Sequence, residues 1–351
     1  MPTNHLQDDD RGHIRIAIDD VFSIAIQALL HAGLSSAQAF PMARTITAAE
    51  RDECFSHGLY RLPGCVETIK SPKFVANAIP VVAEISAAAV RADARYGYSP
   101  LAFEKALPLV EQKAKTAGIC ILAINNCFHC TALWPEIEAL TERGLAAIAM
   151  TSSHSWVAPA GGTQPTLGTN PFAFGWPRHN ERPYVFDFAT SMIARGDIAL
   201  HDMGGKQIPL GWALDVNGNP TTNAAAALSG AMLSFGGHKG TALSTMIELL
   251  AGPLIGDMTS SQSKEFGEDT RAAPCHGELI IALDPALLGW GTEAANQSSA
   301  EQLLSAFAGQ GARLPSRRRY EARERTMKNG VRVPKALYER IQSLLPSGGP
   351  M

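Results

Sequence analysis

The sequence predicts a mixed α/β fold without the usual dinucleotide-binding turn, and three observations predict it. Residues 119–150 read as strand, helix, strand: the apolar run Ile119-Cys120-Ile121-Leu122-Ala123-Ile124, then 134–143 closed by Gly144, then a second apolar run at 145–150. Two further short apolar runs, 184–188 and 278–283, have the length of strands. No Gly-x-Gly-x-x-Gly separates any strand from a helix, although that spacing is what normally lets backbone approach a pyrophosphate.

The first predicted helix is 18–31, with an aspartate as its cap, Phe22, Ile26, Leu29 and Leu30 at helical spacing, and Gly33 as the stop. The second starts at Ser35 or Ser36 and runs through an alanine-rich stretch to about Glu53, delivering Ser56-His57-Gly58 at its end. Ser99 followed by Pro100 announces a third, which Gly118 ends and Pro108 can kink. A further helix covers 241–250, behind a glycine cluster. The polar stretch 256–274 lacks a period and predicts a surface loop. The basic tail from Arg313 is expected to return to the first domain.

The chain has 351 residues, enough for about two domains and a sizeable core. Hydrophobic residues make up 46% and charged residues 18%, which excludes a disordered chain. A net charge of -3 offers no positive field for nucleic acid or an anionic membrane, so neither is expected as a partner. Residues 1–13 are polar and no run is long enough to span a bilayer, which predicts a cytoplasmic protein. Six cysteines are too few for a disulfide scaffold and read mostly as buried thiols.

Several clusters can carry chemistry. Ser56-His57-Gly58-Leu59-Tyr60-Arg61 places a hydroxyl, an imidazole and a guanidinium within one turn, where arginine can clamp a carboxylate while histidine moves a proton. The bland alternative makes His57 a helix C-terminal cap and Arg61 merely exposed. Asp187 and Asp197 can orient His57 or stabilise its charged form, or simply cap helices. Ser234-Phe235-Gly236-Gly237-His238-Lys239-Gly240 can meet a phosphate at a helix N-terminus, or only turn the chain. The arginines of 313–325 suit a 2′-phosphate, or form a solvated face paired with Glu321 and Glu324. Cys127-Phe128-His129-Cys130 has zinc-like spacing, yet a closed site needs four ligands and no second pair follows, so no metal is expected.

Taken in order, Ser56-His57-Gly58-Leu59-Tyr60-Arg61, Val157-Ala158-Pro159-Ala160-Gly161-Gly162, Leu167-Gly168-Thr169-Asn170-Pro171, Asp187-Phe188-Ala189-Thr190-Ser191, Ile208-Pro209-Leu210-Gly211-Trp212-Ala213 and Gly236-Gly237-His238-Lys239-Gly240 resemble the malate/L-lactate dehydrogenase superfamily. Its members are the non-Rossmann, sulfolactate-dehydrogenase-like oxidoreductases, and the resemblance runs from about residue 14 to 325. The segments 129–136, Arg195-Gly196-Asp197 and His238-Lys239 resemble its Δ1-piperideine-2-carboxylate/Δ1-pyrroline-2-carboxylate reductase branch. One stretch departs from it, Ser152-Ser153-His154-Ser155-Trp156, where relatives often carry other residues.

The resemblance implies a largely antiparallel central sheet flanked by helices, and a helical domain built from both termini. It divides the chain into 1–118, a substrate-side domain completed by 300–351, and 119–299, which holds NADPH. It implies a homodimer that reduces cyclic ketimines, with a malate- or lactate-type 2-hydroxy-acid dehydrogenase of the same fold as the alternative. By the same resemblance Ser56, His57 and Asp197 form a proton relay; since an ordinary imidazole titrates at about 6.5, modest help from Asp197 is expected to keep His57 charged. Arg61 and Thr169 hold the substrate carboxylate. His129, Cys130, Thr131, Ala132, Leu133, Asp187, Phe188, Ala189, Arg195, Gly196, His238, Lys239, Arg319, Arg323 and Arg325 line the cofactor.

Overall fold

The computed structural model describes residues 7–9, 12–267 and 272–346. A seven-stranded sheet runs in the order Val81–Ser86, Ala89–Asp93, Ile119–Phe128, Cys275–Leu283, Ala146–Thr151, Phe172–Trp176, Tyr184–Phe188. All its pairings are antiparallel except that of Ala89–Asp93 with Ile119–Phe128. A parallel pair needs a long crossover, and here the helix Ser99–Ala117 supplies it. The strands ahead of residue 118 are therefore continuous with those after it.

The strand–helix–strand unit is present as Ile119–Phe128, Trp134–Thr141 and Ala146–Thr151, but its two strands do not pair. Cys275–Leu283 lies between them and is antiparallel to both. Apolar residues on both faces make this possible. On one face Leu122, Ile124 and Ile280 pack under Ala102, Phe103, Ala106 and Val110 of the crossover helix and Ile137 and Leu140 of the next. On the other, Ala123, Met150 and Leu279 meet Ile247 and Ala251 of the helix His238–Ala251.

A second core joins both ends of the chain. Val21, Leu29, Met42, Ile46 and Leu62 pack with Val331, Val333 and Ile341. The three-stranded sheet Gln7–Asp9, His13–Ile16, Val331–Pro334 closes it. A third, four-stranded sheet orders Pro220–Thr221, Ala213–Leu214, Ala231–Leu233 and Val157–Ala158.

Two local expectations change. The first helix, Ile18–His31, is preceded by Ala17 with no side-chain cap, and Asp19 and Asp20 sit in its first turn instead, where they favour the positive helix end. The stretch read as a loop contains the helix Ser260–Gly267, whose Ser260 N–H donates to Glu248. Residues 268–271 of that stretch lie outside the described residues, as does much of the polar start, 1–6 and 10–11. Among the described residues no helix is long and apolar enough to cross a membrane.

Candidate active site

The helix Ser36–Arg51 ends at Asp52, and the chain then makes two short 3-10 turns, Phe55–His57 and Leu59–Arg61. Glu50 fixes their geometry: its buried Oε2 accepts the Leu59 N–H at 2.8 Å. A Cβ at position 58 would stand 1.9 Å from that oxygen, so any residue larger than glycine has to displace the Glu50 carboxyl. Burial pushes the Glu50 carboxyl up to about 7, against the lowering effect of the Leu59 N–H. The turn thereby presents His57, whose Nδ1 lies 3.2 Å from Ser56 Oγ, and Arg61, whose Nε is buried with no hydrogen-bond partner.

A second element closes on the turn. The helix Arg195–Met203 begins against Ser56, and a Cβ on Gly196 would meet Ser56 Cβ at 3.1 Å and the Tyr60 ring at 3.4 Å. That approach brings Asp197 to the same cavity as His57, without a hydrogen bond between them. Arg195 stacks over Trp156 at 4.4 Å, donates one Nη to Leu228 O at 2.8 Å and keeps its other Nη buried and unpaired. Burial lowers this guanidinium to about 10.

The cavity between these elements has a volume of about 1080 Å³. It gathers Ser56, His57, Arg61, His129, Cys130, Thr131, Ala132, Thr169, Asp187, Phe188, Ala189, Arg195, Gly196, Asp197 and Arg319 from positions scattered over the chain. Thr169 is held by Ser153 Oγ, which accepts its N–H at 2.9 Å. Asp187 spends one oxygen capping the helix Trp134–Thr141, accepting the N–H groups of Leu133 and Trp134 at 2.9 and 3.0 Å.

Five of the residues singled out from the sequence do not line this cavity: Leu133, His238, Lys239, Arg323 and Arg325. Leu133 points into the core and uses its N–H on Asp187. Gly236 and Gly237 take positive φ values of 58° and 60°, and His238 and Lys239 stand exposed beyond them. The arginines are satisfied by carboxylates remote in sequence. Arg323 binds the fully buried Asp52 and also Glu138, and Arg325 binds Glu53 at 2.6 Å. Arg319 lines the wall but is itself held by Glu138 at 2.9 Å. The basic side chains of this segment that line the cavity without a carboxylate partner are Arg313 and Arg318.

The charge of His57 is the other correction. Burial first, then the Arg61 guanidinium, push its imidazole down to about 3. Asp197 is not among the groups that act on it, so His57 is a neutral imidazole rather than a standing cation at neutral pH. The neighbouring His129 is likewise held well below the usual histidine range, by burial and then by His276.

Reading the sequence alone missed several parts of the site. Glu50 looked like an ordinary helix residue. His276 lines the cavity from the Cys275–Leu283 strand, which is remote in sequence. Phe188, stacked on Phe186 at 5.2 Å and edge-on to Phe235 at 5.8 Å, makes a flat apolar wall. The alternating aromatics at 184, 186 and 188 were the available signal. Cys127 and Cys130 diverge: the Cys127 thiol donates to His276 O, and Cys130 faces Cys65. Among the described residues no three groups are placed to share a metal ion.

The malate/L-lactate dehydrogenase family model matches residues 16–342. The chain is 52% identical over 334 residues to Δ1-pyrroline-2-carboxylate reductase 1 of Burkholderia ambifaria, covering 95% of this chain and 98% of that one. It is also 52% identical over 332 residues to the Δ1-pyrroline-2-carboxylate/Δ1-piperideine-2-carboxylate reductase of Pseudomonas aeruginosa, with 95% and 99% covered. Among solved structures, Δ1-piperideine-2-carboxylate reductase from Pseudomonas syringae pv. tomato superposes with a TM-score of 0.88 at 38% identity, covering 94% of this chain and 99% of that one.

Proposed function

The chain belongs to the malate/L-lactate dehydrogenase family, and on that premise we propose that it reduces cyclic ketimine 2-carboxylates, Δ1-pyrroline-2-carboxylate and Δ1-piperideine-2-carboxylate, to the L-amino acids with NADPH. The observation that carries this reading is the pairing, on one turn, of an unpartnered Arg61 with a neutral His57 facing the cavity. Arg61 supplies the fork that a carboxylate accepts.

The neutral imidazole favours an imine over a ketone. A ring nitrogen can enter the site already protonated, and His57 then only has to accept a hydrogen bond from that N–H, which keeps C2 electrophilic. A 2-oxo acid brings no proton, so its oxygen has to receive one from a charged histidine. Ser56, at Nδ1, orients the imidazole so that its other nitrogen faces the substrate. Thr169 and Arg195 supply further donors at the cavity wall.

The cavity residues fit a nicotinamide dinucleotide. The space exceeds what a small imino acid fills, the Phe188 wall suits a flat ring, and Arg313 and Arg318 suit a phosphate. When bound, NADPH supplies the hydride that C2 receives. The assay is the fall in NADPH absorbance with the two ketimines, then with pyruvate and oxaloacetate. Turnover confined to the ketimines supports the reading, and turnover confined to the oxo acids removes it. A homodimer is part of this proposal, and sedimentation checks it.

A further inference from the structure

Two cysteines that the reduction does not use stand face to face beside the cavity. Cys65 Sγ, on the helix Leu62–Ile69, lies 3.7 Å from Cys130 Sγ, on the segment leading to the helix Trp134–Thr141. They are 65 residues apart in sequence, and their environments differ. Cys130 lines the cavity and is partly accessible, whereas Cys65 is buried behind it. The contact with Cys65 holds the Cys130 thiol below its usual range, helped by Arg61, and the same contact with burial pushes Cys65 well above it. An accessible thiol standing 3.7 Å from a buried one is the arrangement of a redox-sensitive pair.

We propose that Cys65 and Cys130 are a peroxide-sensitive pair, joined by a reversible disulfide that throttles the site. The Cys130 thiolate attacks hydrogen peroxide, giving the sulfenic acid and hydroxide. The Cys65 thiol then attacks that sulfur, forming the S–S bond and releasing water. The protein loses two electrons and two protons, and the peroxide is reduced to two waters. A reducing compartment returns the pair to thiols by exchange.

The bond touches catalysis through what its ends carry. Arg61 stands one helical turn before Cys65, and His129 is the neighbour of Cys130. Forming the bond closes the sulfurs from 3.7 Å to about 2.05 Å. A displacement on the order of 1 Å at a clamp residue can cost about 10²-fold. Oxidation is therefore expected to lower kcat/KM by about 10- to 100-fold, mostly through KM for the carboxylate held by Arg61.

The test treats the intact protein with hydrogen peroxide, alkylates free thiols without reduction and maps peptides by mass. A peptide linking Cys65 to Cys130, with turnover that falls and returns on dithiothreitol, is the expected result. Cys65→Ser keeps normal turnover before oxidation, yields no linked peptide, and leaves a sulfenic acid on Cys130 that dimedone traps. The proposal is overturned if both thiols stay alkylatable, if either pairs with another cysteine, or if the linked form turns over at the unoxidised rate. Linkage is scored by mass alone, so failure of the ketimine reading leaves this readout intact.

Discussion

Glu50 occupies the space that a side chain at Gly58 would need, with its Oε2 only 1.9 Å from where that Cβ would stand. The turn bearing His57 and Arg61 is thus shaped by a residue that never reaches the cavity. Gly58→Ala has to expel Glu50 from its bond to the Leu59 N–H, so both melting temperature and kcat/KM are expected to fall together. An alanine variant with wild-type values of both refutes this account.

Glu50 also links stability to pH. Burial pushes its carboxyl up to about 7 in the fold, from an ordinary value of 4.5. Because the folded form holds the proton more tightly, its contribution is fully present below about 4.5 and is lost as pH rises through about 7, up to about 3 kcal/mol in all. Glu50→Gln keeps an acceptor for Leu59 and removes the titration. Denaturant midpoints of wild type and variant are expected to diverge between pH 4.5 and 7, with the variant gaining.

His57→Ala is expected to lower kcat by roughly 10- to 100-fold on ketimines, the worth of one hydrogen bond to a charged group, while the protein still binds NADPH. The wild-type imidazole titrates near 3, so the kcat/KM profile should show no histidine limb between pH 5 and 8. The stability sign is opposite to that of Glu50. A histidine held neutral stabilises above its unfolded value of about 6.5 and loses that contribution as pH falls toward 3. A kinetic limb near 6.5 that disappears in the variant would show that His57 carries a proton after all.

Arg61→Ala should raise KM for the ketimine, costing roughly 10²-fold in kcat/KM, since a charge-assisted hydrogen bond is worth about 1.5–3 kcal/mol. Arg61→Lys restores only part, because an ammonium lacks the planar fork. Equal KM values for all three proteins would move the carboxylate elsewhere.

Arg318 and Arg323 separate cofactor selection from scaffolding. Arg318→Ala is expected to raise KM for NADPH while leaving NADH nearly unchanged. Arg323→Ala leaves the buried Asp52 with Arg51 as its close partner and should cost about 1.5–3 kcal/mol of stability with little change in the ratio of the two cofactors. The reverse pattern in those ratios would return the phosphate to Arg323.

Contiguous motifs were legible from the residues. The turn at 56–61 and the strands 119–128 and 146–151 are set by neighbours in sequence, and each was found within a few residues of its bounds. Pairings across long separations were not legible. Nothing near Arg323 announces Asp52 or Glu138, so its charge looked available when it is already compensated. The polar helix Ser260–Gly267 is held by Glu248 rather than by an apolar stripe, which hid it from a periodicity argument. The state of His57 depends on burial, which only the assembled fold provides.

The helix Arg317–Asn329 fastens the end of one early helix to the middle of another, and the strand after it completes the sheet that contains His13–Ile16. During synthesis, then, no nascent chain possesses a finished cleft until residues 317–334 have left the ribosome. Until that moment Glu138 lacks both of its arginines and Asp52 keeps only Arg51, and stretches that later lie covered are open to chaperones and proteases.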